Sequence, residues 1–302
     1  MRFWLVHLLY RPEALNRKIR DDHYELGYDF FENYLETRHR MYSHTLFTTK
    51  EESLEDVSEI KLASIFEKLQ LKPGMRLLDI GAGWGCMEEY CETRGVEGTA
   101  LTMSEASRNF VEALIRDKNL SATVEIQDIL TYRPEQPFDA AVMPGAIEHL
   151  PHYKRLARKI WECLKPGAPY YLDGAGALEK TSTSPFTRKF GWDGNHGFMG
   201  MPELAQEFLF HGFQVNEVQQ ETRDYEFTMR HWAQRLDEAR EKIVCNWREK
   251  IYRAIRIYLW GTCHAFKPDG LQGYHLLVTR GGGPGMRPGW WYRTRNFFRD
   301  LR

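Results

Sequence analysis

Strands alternating with helices around a glycine-rich turn predict an α/β, Rossmann-like fold with a mostly parallel sheet. Three observations carry this. Leu77-Leu78-Asp79-Ile80-Gly81-Ala82-Gly83-Trp84-Gly85 runs from an apolar strand through an acid into a G-x-G turn, and Cys86 to Arg94 can form the helix behind it. Apolar runs of strand length recur between helix-length segments from Arg76 to Asp173. Phe138 to Met143 is almost wholly apolar, as a strand covered on both faces should be.

Taken in order, residues 1–60 are aromatic and charged, with little Gly or Pro punctuation, and read as a helical lid. Ser58 to Leu71 is an amphipathic helix with Ile60, Leu62, Ile65, Phe66 and Leu69 on one buried face, broken by Lys72-Pro73-Gly74. The first strand spans Arg76 to Ile80 and the second Val96 to Thr102. Ser104 caps a helix from Glu105 to Asp117, because its hydroxyl can accept an N–H left free by the first turn. Val124 to Ile126 and Phe138 to Met143 are the third and fourth strands. Tyr153 to Leu164 is a helix stopped by Lys165-Pro166-Gly167, and Tyr170 to Asp173 is the fifth strand. Residues 174–200, polar and rich in glycine, suit a mobile loop near a site. A helix at Pro202 to Phe210, a strand from Gly212, a long helical stretch at Met229 to Trp260 and a strand at Tyr274 to Thr279 complete the series. The chain divides into a lid (1–60), a Rossmann-like domain (61–280) and a basic, aromatic tail (281–302). The domain carries a helical substrate insertion at about 224–264, between its last two strands.

A net charge of −1 gives no field for nucleic acid, and 42% hydrophobic with 27% charged residues describes an ordinary folded chain. Five cysteines, an odd number without a C-x-x-C pair, point to reduced thiols in a cytoplasmic setting. No apolar run reaches the ~18 residues that span a bilayer. Met1 to Tyr10 lacks the small-residue cleavage site of a secretory signal. From Met286 to Arg302, Arg287, Arg293, Arg295, Arg299 and Arg302 alternate with Trp290, Trp291, Tyr292, Phe297 and Phe298. That mixture suits peripheral contact with an anionic membrane, helped by Phe3 to Tyr10, or docking onto its own domain or a second copy in a homo-oligomer.

The glycines of the first turn let a ligand approach where a Cβ would collide, and the helix behind presents free N–H groups. A dinucleotide turn would carry Gly at position 86, where Cys86 stands. Its absence favours a cofactor without a pyrophosphate, S-adenosyl-L-methionine first.

Several separated motifs then carry a resemblance. They are His23-Tyr24-Glu25-Leu26-Gly27-Tyr28-Asp29-Phe30-Phe31, Met41-Tyr42-Ser43, Leu71-Lys72-Pro73-Gly74 leading into Leu78-Asp79-Ile80-Gly81, Leu101-Thr102-Met103-Ser104 and Gly145-Ala146-Ile147-Glu148-His149. Over residues 23–280 the chain resembles the cyclopropane-fatty-acid synthases, including the mycolic acid cyclopropane synthases, within the class I methyltransferases. The resemblance implies a seven-stranded sheet with helices on both faces and S-adenosyl-L-methionine as cofactor. Cofactor contacts then fall on Tyr42, Ser43, Asp79, Gly81, Gly83, Thr102, Ser107, Asp128 and Ile129. Thr102 matches the family; Ser107 stands where the family usually has Gln.

The resemblance further implies methyl or methylene transfer to an alkene carbon of a lipid or lipid-like natural product, with bicarbonate as the base that removes a proton. Glu148, Tyr225 and Cys263 match the family's bicarbonate pocket. His44 replaces its early cysteine and Asp173 its histidine. A second carboxylate beside Glu148 disfavours an anionic guest, so His44 or Asp173 is an alternative base, with His149 holding Glu148 or capping the loop. Plant alkaloid N-methyltransferases share the Glu-His pair, and carboxylates would equally steady the charge growing on a small amine during N-methylation. A non-catalytic cofactor-binding scaffold on a membrane is the reading of another class. No compact ligand spacing joins His44, Glu148, His149 and Asp173, so no metal is expected.

Overall fold

The computed structural model describes residues 26–150, 152–177, 186, 197–267, 270–283 and 285. The Phe3–Tyr10 segment, most of the glycine-rich loop and the tail from 286 lie outside them. At the centre is a seven-stranded sheet ordered β3-β2-β1-β4-β5-β7-β6. Its strands are β1 (Arg76–Ile80), β2 (Glu97–Thr102), β3 (Thr123–Ile126), β4 (Ala140–Pro144), β5 (Pro169–Gly176), β6 (Phe213–Gln220) and β7 (Gln272–Arg280). From β3 to β5 every pair is parallel, and β7 runs antiparallel between β5 and β6. The predicted α/β class and mostly parallel sheet are both present.

A period of two sorts the core. Leu77, Ala140, Val142 and Tyr171 face one way, against α2 (Leu54–Lys68) and α3 (Cys86–Glu92). Leu78, Ile80, Ala141, Met143, Tyr170 and Leu172 face the other, against α5 (Tyr153–Cys163) and α6 (Met201–Phe210). Helices on both faces are why β4 reads as an unbroken apolar run. Between β2 and β3, α4 (Glu105–Lys118) is capped as its sequence predicts, Ser104 Oγ accepting the Ser107 N–H at 3.2 Å.

Four elements differ from the sequence reading. In the lid, α1 (Gly27–Phe31) is short and residues 32–53 run as turns and irregular chain. The next helix, α2, begins at Leu54, where Ser53 Oγ accepts the Asp56 N–H. That helix is also turned: Lys61 is fully buried and Ile60 is 40% exposed. The buried positions Leu54, Val57, Ser58, Lys61, Leu62 and Ile65 follow the three-and-four spacing of one face, and Ile60 lies off it. Strand β5 continues to Gly176, because β7 offers partners as far as Gln272.

The long helical stretch is three helices, α7 (Thr222–Glu238), α8 (Arg240–Trp247) and α9 (Glu249–Ala265). Arg248, at φ +76°, breaks the last two apart. These helices lie between β6 and β7. They enclose a separate, aromatic core with Phe30, Phe31, Tyr34 and Trp84.

Candidate active site

The strand order reverses between β1 and β4, so the loops leaving their carboxyl ends diverge and open a crevice. Its lining includes Gly81, Gly83, Thr102, Ser104, Ser107, Gln127, Asp128, Ala146 and His149, with Ile80, Leu101, Met103, Ile129 and Leu150 as apolar walls. Gly81 sits at φ +102°, and a Cβ there would come within 3.0 Å of Ala146 Cβ. Backbone that close can cradle a ligand only without a side chain. Ser107 Oγ donates to the Gly83 carbonyl at 2.6 Å, which fixes the turn. Thr102 Oγ1 accepts the Ser104 N–H at 3.1 Å, and Asp128 Oδ1 accepts the Leu130 N–H at 2.9 Å. Burial holds the His149 imidazole down, at about 4, so it is neutral at ordinary pH.

Three of the expected cofactor residues do not line this crevice. Asp79 lies behind the turn, where burial lifts its carboxyl to about 7. Glu88, fully buried beside it, is pushed well up by burial and then by Asp79. Tyr42 packs against Phe31 and Trp232, with ring centroids 4.9 and 5.6 Å apart. Ser43 abuts Gly145 and accepts from Lys61 Nζ at 3.1 Å.

Beside the crevice lies a buried group of charges. Glu148, in the 3₁₀ turn Ile147–His149, accepts the Ala175 N–H on Oε1 at 2.6 Å. Its Oε2 has no partner among the described residues. Gly174 makes this possible, since a Cβ there would overlap Ile147 Cγ2 and press on the Glu148 carboxyl at 3.1 Å. Burial dominates the Glu148 environment, and the carboxyl rises to about 7 despite the Ala175 bond.

Asp173 meets Lys61 Nζ at 2.8 Å and His44 Nδ1 at 3.5 Å, and accepts the Gly145 N–H at 3.0 Å. Burial would raise its carboxyl, but Lys61 and then His44 overcome that and hold it far below the carboxylate range. On its other side His44 Nε2 meets Glu221 at 2.7 Å, and Glu221 reaches His275 Nδ1 at 2.6 Å. Burial and Lys61 press His44 to lose its proton, yet Asp173 and Glu221 prevail and hold it above its usual value. Glu221 is pulled down to about 2, burial being outweighed by His275 and His44.

Tyr225 is sandwiched between His44 and Phe266, with centroids at 4.0 and 4.6 Å, and its hydroxyl lacks a partner among the described residues. Cys263 sits instead in the aromatic core of the insertion, where burial raises its thiol. Among the described residues no group of three or more His, Cys, Asp or Glu is arranged to hold a metal.

Lys61, Glu221 and His275 escaped the sequence reading. Lys61 gave no signal, because the sequence places Ile60 rather than Lys61 on the buried face of its helix; His275 was legible only as a polar residue facing inward from an apolar strand. Glu221 gave no signal either.

Comparison with known proteins follows the same lines. The family model for mycolic acid cyclopropane synthetase matches residues 13–276. The cyclopropane-fatty-acyl-phospholipid synthase of Escherichia coli (strain K12) is 30% identical over 271 residues, 88% of this chain and 69% of that one. The cyclopropane synthase MmaA2 from Mycobacterium tuberculosis superposes with a TM-score of 0.81 at 22% identity, covering 87% of this chain and 98% of that one. The mycolic acid cyclopropane synthase CmaA1, solved with SAH and CTAB, gives 0.80 at 24% identity, covering 88% and 98%. At those identities the two structures speak for the fold.

Proposed function

The chain belongs to the mycolic acid cyclopropane synthetase family, and from that premise we propose how its site works. It is an S-adenosyl-L-methionine-dependent methyltransferase that transfers a methyl or methylene group to an alkene carbon of a lipid. When bound, the cofactor supplies an electrophilic methyl carbon. Gly81, Gly83, Thr102, Ser107, Asp128 and Ile129 hold it in the crevice, with Asp79 steadying the turn from behind. Tyr42 and Ser43 close the side toward the insertion. Positioning and exclusion of water do most of the work, because the donor is already activated.

Glu148 faces the reacting end, one residue from the His149 that lines the crevice. The observation that carries this assignment is its buried Oε2, unpartnered among the described residues. His149 orients the turn, while His44, Asp173 and Tyr225 form the wall behind. Cys263 serves packing alone.

We place the enzyme in the cytoplasm with peripheral access to a bilayer, since a lipid acceptor must leave one to react. Among the described residues no helix is long and apolar enough to cross a membrane. The arginine-aromatic pattern of 286–302 supports surface contact.

The test is product analysis with methyl-labelled S-adenosyl-L-methionine and vesicles of unsaturated phospholipid. Label recovered in the acyl chain, as a ring or a branch, is the expected result. Label found only on amine nitrogen across a panel of lipids and amines would overturn the reading.

A further inference from the structure

The implied bicarbonate meets a pocket that does not suit it. An anion-binding pocket needs an uncompensated positive charge or several free donors. Here Lys61 and His44 are matched by Asp173 and Glu221, two cations against two anions, at 2.8 Å for the first pair and 2.7 Å for His44 with Glu221. Both His44 nitrogens already face carboxylates. Its ring lies flat on Tyr225, and among the described residues the phenol hydroxyl there has no partner. A further negative charge would add repulsion to Glu148 and Asp173 without gaining a counter-ion.

We propose that this chain works without a bound bicarbonate, its pocket neutralised from within by Lys61, His44, Asp173 and Glu221, and that Glu148 Oε2 itself takes the proton. The inference rests on the alkene-transfer reading above and deepens it. When a ring closes, a C–H bond of the transferred carbon breaks. Its electron pair forms the second C–C bond, and the proton passes to Glu148 Oε2, leaving to water between turnovers. Three carboxylates and one imidazole compete for that role, and geometry decides among them. Asp173 is tied to Lys61, Glu221 to two histidines and His44 to two carboxylates. Of the four, only Glu148 keeps an oxygen with neither a hydrogen bond nor an ion pair among the described residues, Asp173 Oδ2 being held by Lys61, and its elevation to about 7 makes it a competent acceptor near neutral pH. Facing it are Asp173 from β5, His44 from the N-terminal segment, Tyr225 from α7 and Tyr153 from α5.

Carbon-13 NMR of labelled bicarbonate, titrated with the full chain loaded with S-adenosylhomocysteine, tests binding without turnover. The expected result is an unchanged resonance; broadening or a shift that Glu148→Gln abolishes would overturn the proposal. Asp173→Asn strands one positive charge and is expected to create that broadening, and failure of the folded variant to do so counts against the charge-balance argument. The wild-type titration stands whether or not the variant folds. Turnover in carbon-dioxide-free buffer should stay within about twofold of that with added bicarbonate, whereas a loss of roughly tenfold or more, restored by the ion, refutes the proposal. A chain that modifies no unsaturated lipid overturns the functional reading instead, and the NMR titration still decides this one.

Discussion

Glu148 is a residue whose chemistry follows from a missing contact. With Oε1 fixed by the Ala175 N–H and Oε2 unpartnered among the described residues, the carboxyl is held in place and ready to receive a proton. Glu148→Gln should lower kcat by roughly 10²–10³-fold while calorimetry finds S-adenosylhomocysteine binding unchanged. The base must be ionised, so kcat of the native enzyme should rise with pH through about 7, and the variant's residual rate should lose that limb. Lys61 acts differently, as a counter-charge inside the fold. Lys61→Met leaves Asp173 buried without its ammonium and should cost about 3–5 kcal/mol in urea unfolding. Glu148 was legible in sequence because it lies in the Gly145-Ala146-Ile147-Glu148-His149 motif that carries the family resemblance, shortly after an apolar strand. Lys61 was not, since one lysine on a helix looks alike in sequence whether it faces solvent or a buried carboxylate.

The glycine turn and its flanking strands could be read almost residue by residue, as β1 and the Ser104 cap demonstrate, because local chemistry determines them. The insertion could not. Aromatic and charged residues continue through Arg248 without a Gly or Pro, so nothing local marks the break between α8 and α9. Arg248 takes φ +76° and ψ 149°, a region that side chains avoid, because tertiary packing of the two helices imposes it. Arg248→Gly should therefore raise stability by about 1 kcal/mol, seen as an upward shift in a thermal melt. No change, or a fall, would mean that the Arg248 side chain supplies more than the strain removes.

Across the whole molecule the buried ionisable groups set the pH response. Glu148, Asp79 and Glu88 have folded values above their unfolded ones, so the folded chain binds extra protons between about 4 and 7 and loses stability as pH rises through that window. His44 is raised as well; its contribution is complete below 6.5 and fades as pH climbs through its folded value. Asp173 and Glu221 are depressed, and their contribution disappears as pH falls from 4.5 toward 2. Thermal stability of the ligand-free chain should thus peak at about pH 5 and fall by several °C toward about pH 8. A melting temperature that climbs steadily to pH 8 would contradict these environments. The mostly parallel sheet was readable because alternating strands and helices with right-handed crossovers obey general rules. The balance of charges was not, because its four members come from four stretches of chain, at positions 44, 61, 173 and 221. That dispersal carries an evolutionary consequence. No member can be exchanged singly without stranding another, so a lineage leaving this arrangement must cross an unstable intermediate or change partners in concert. Descendants are therefore expected to keep the quartet intact or to have lost it entirely.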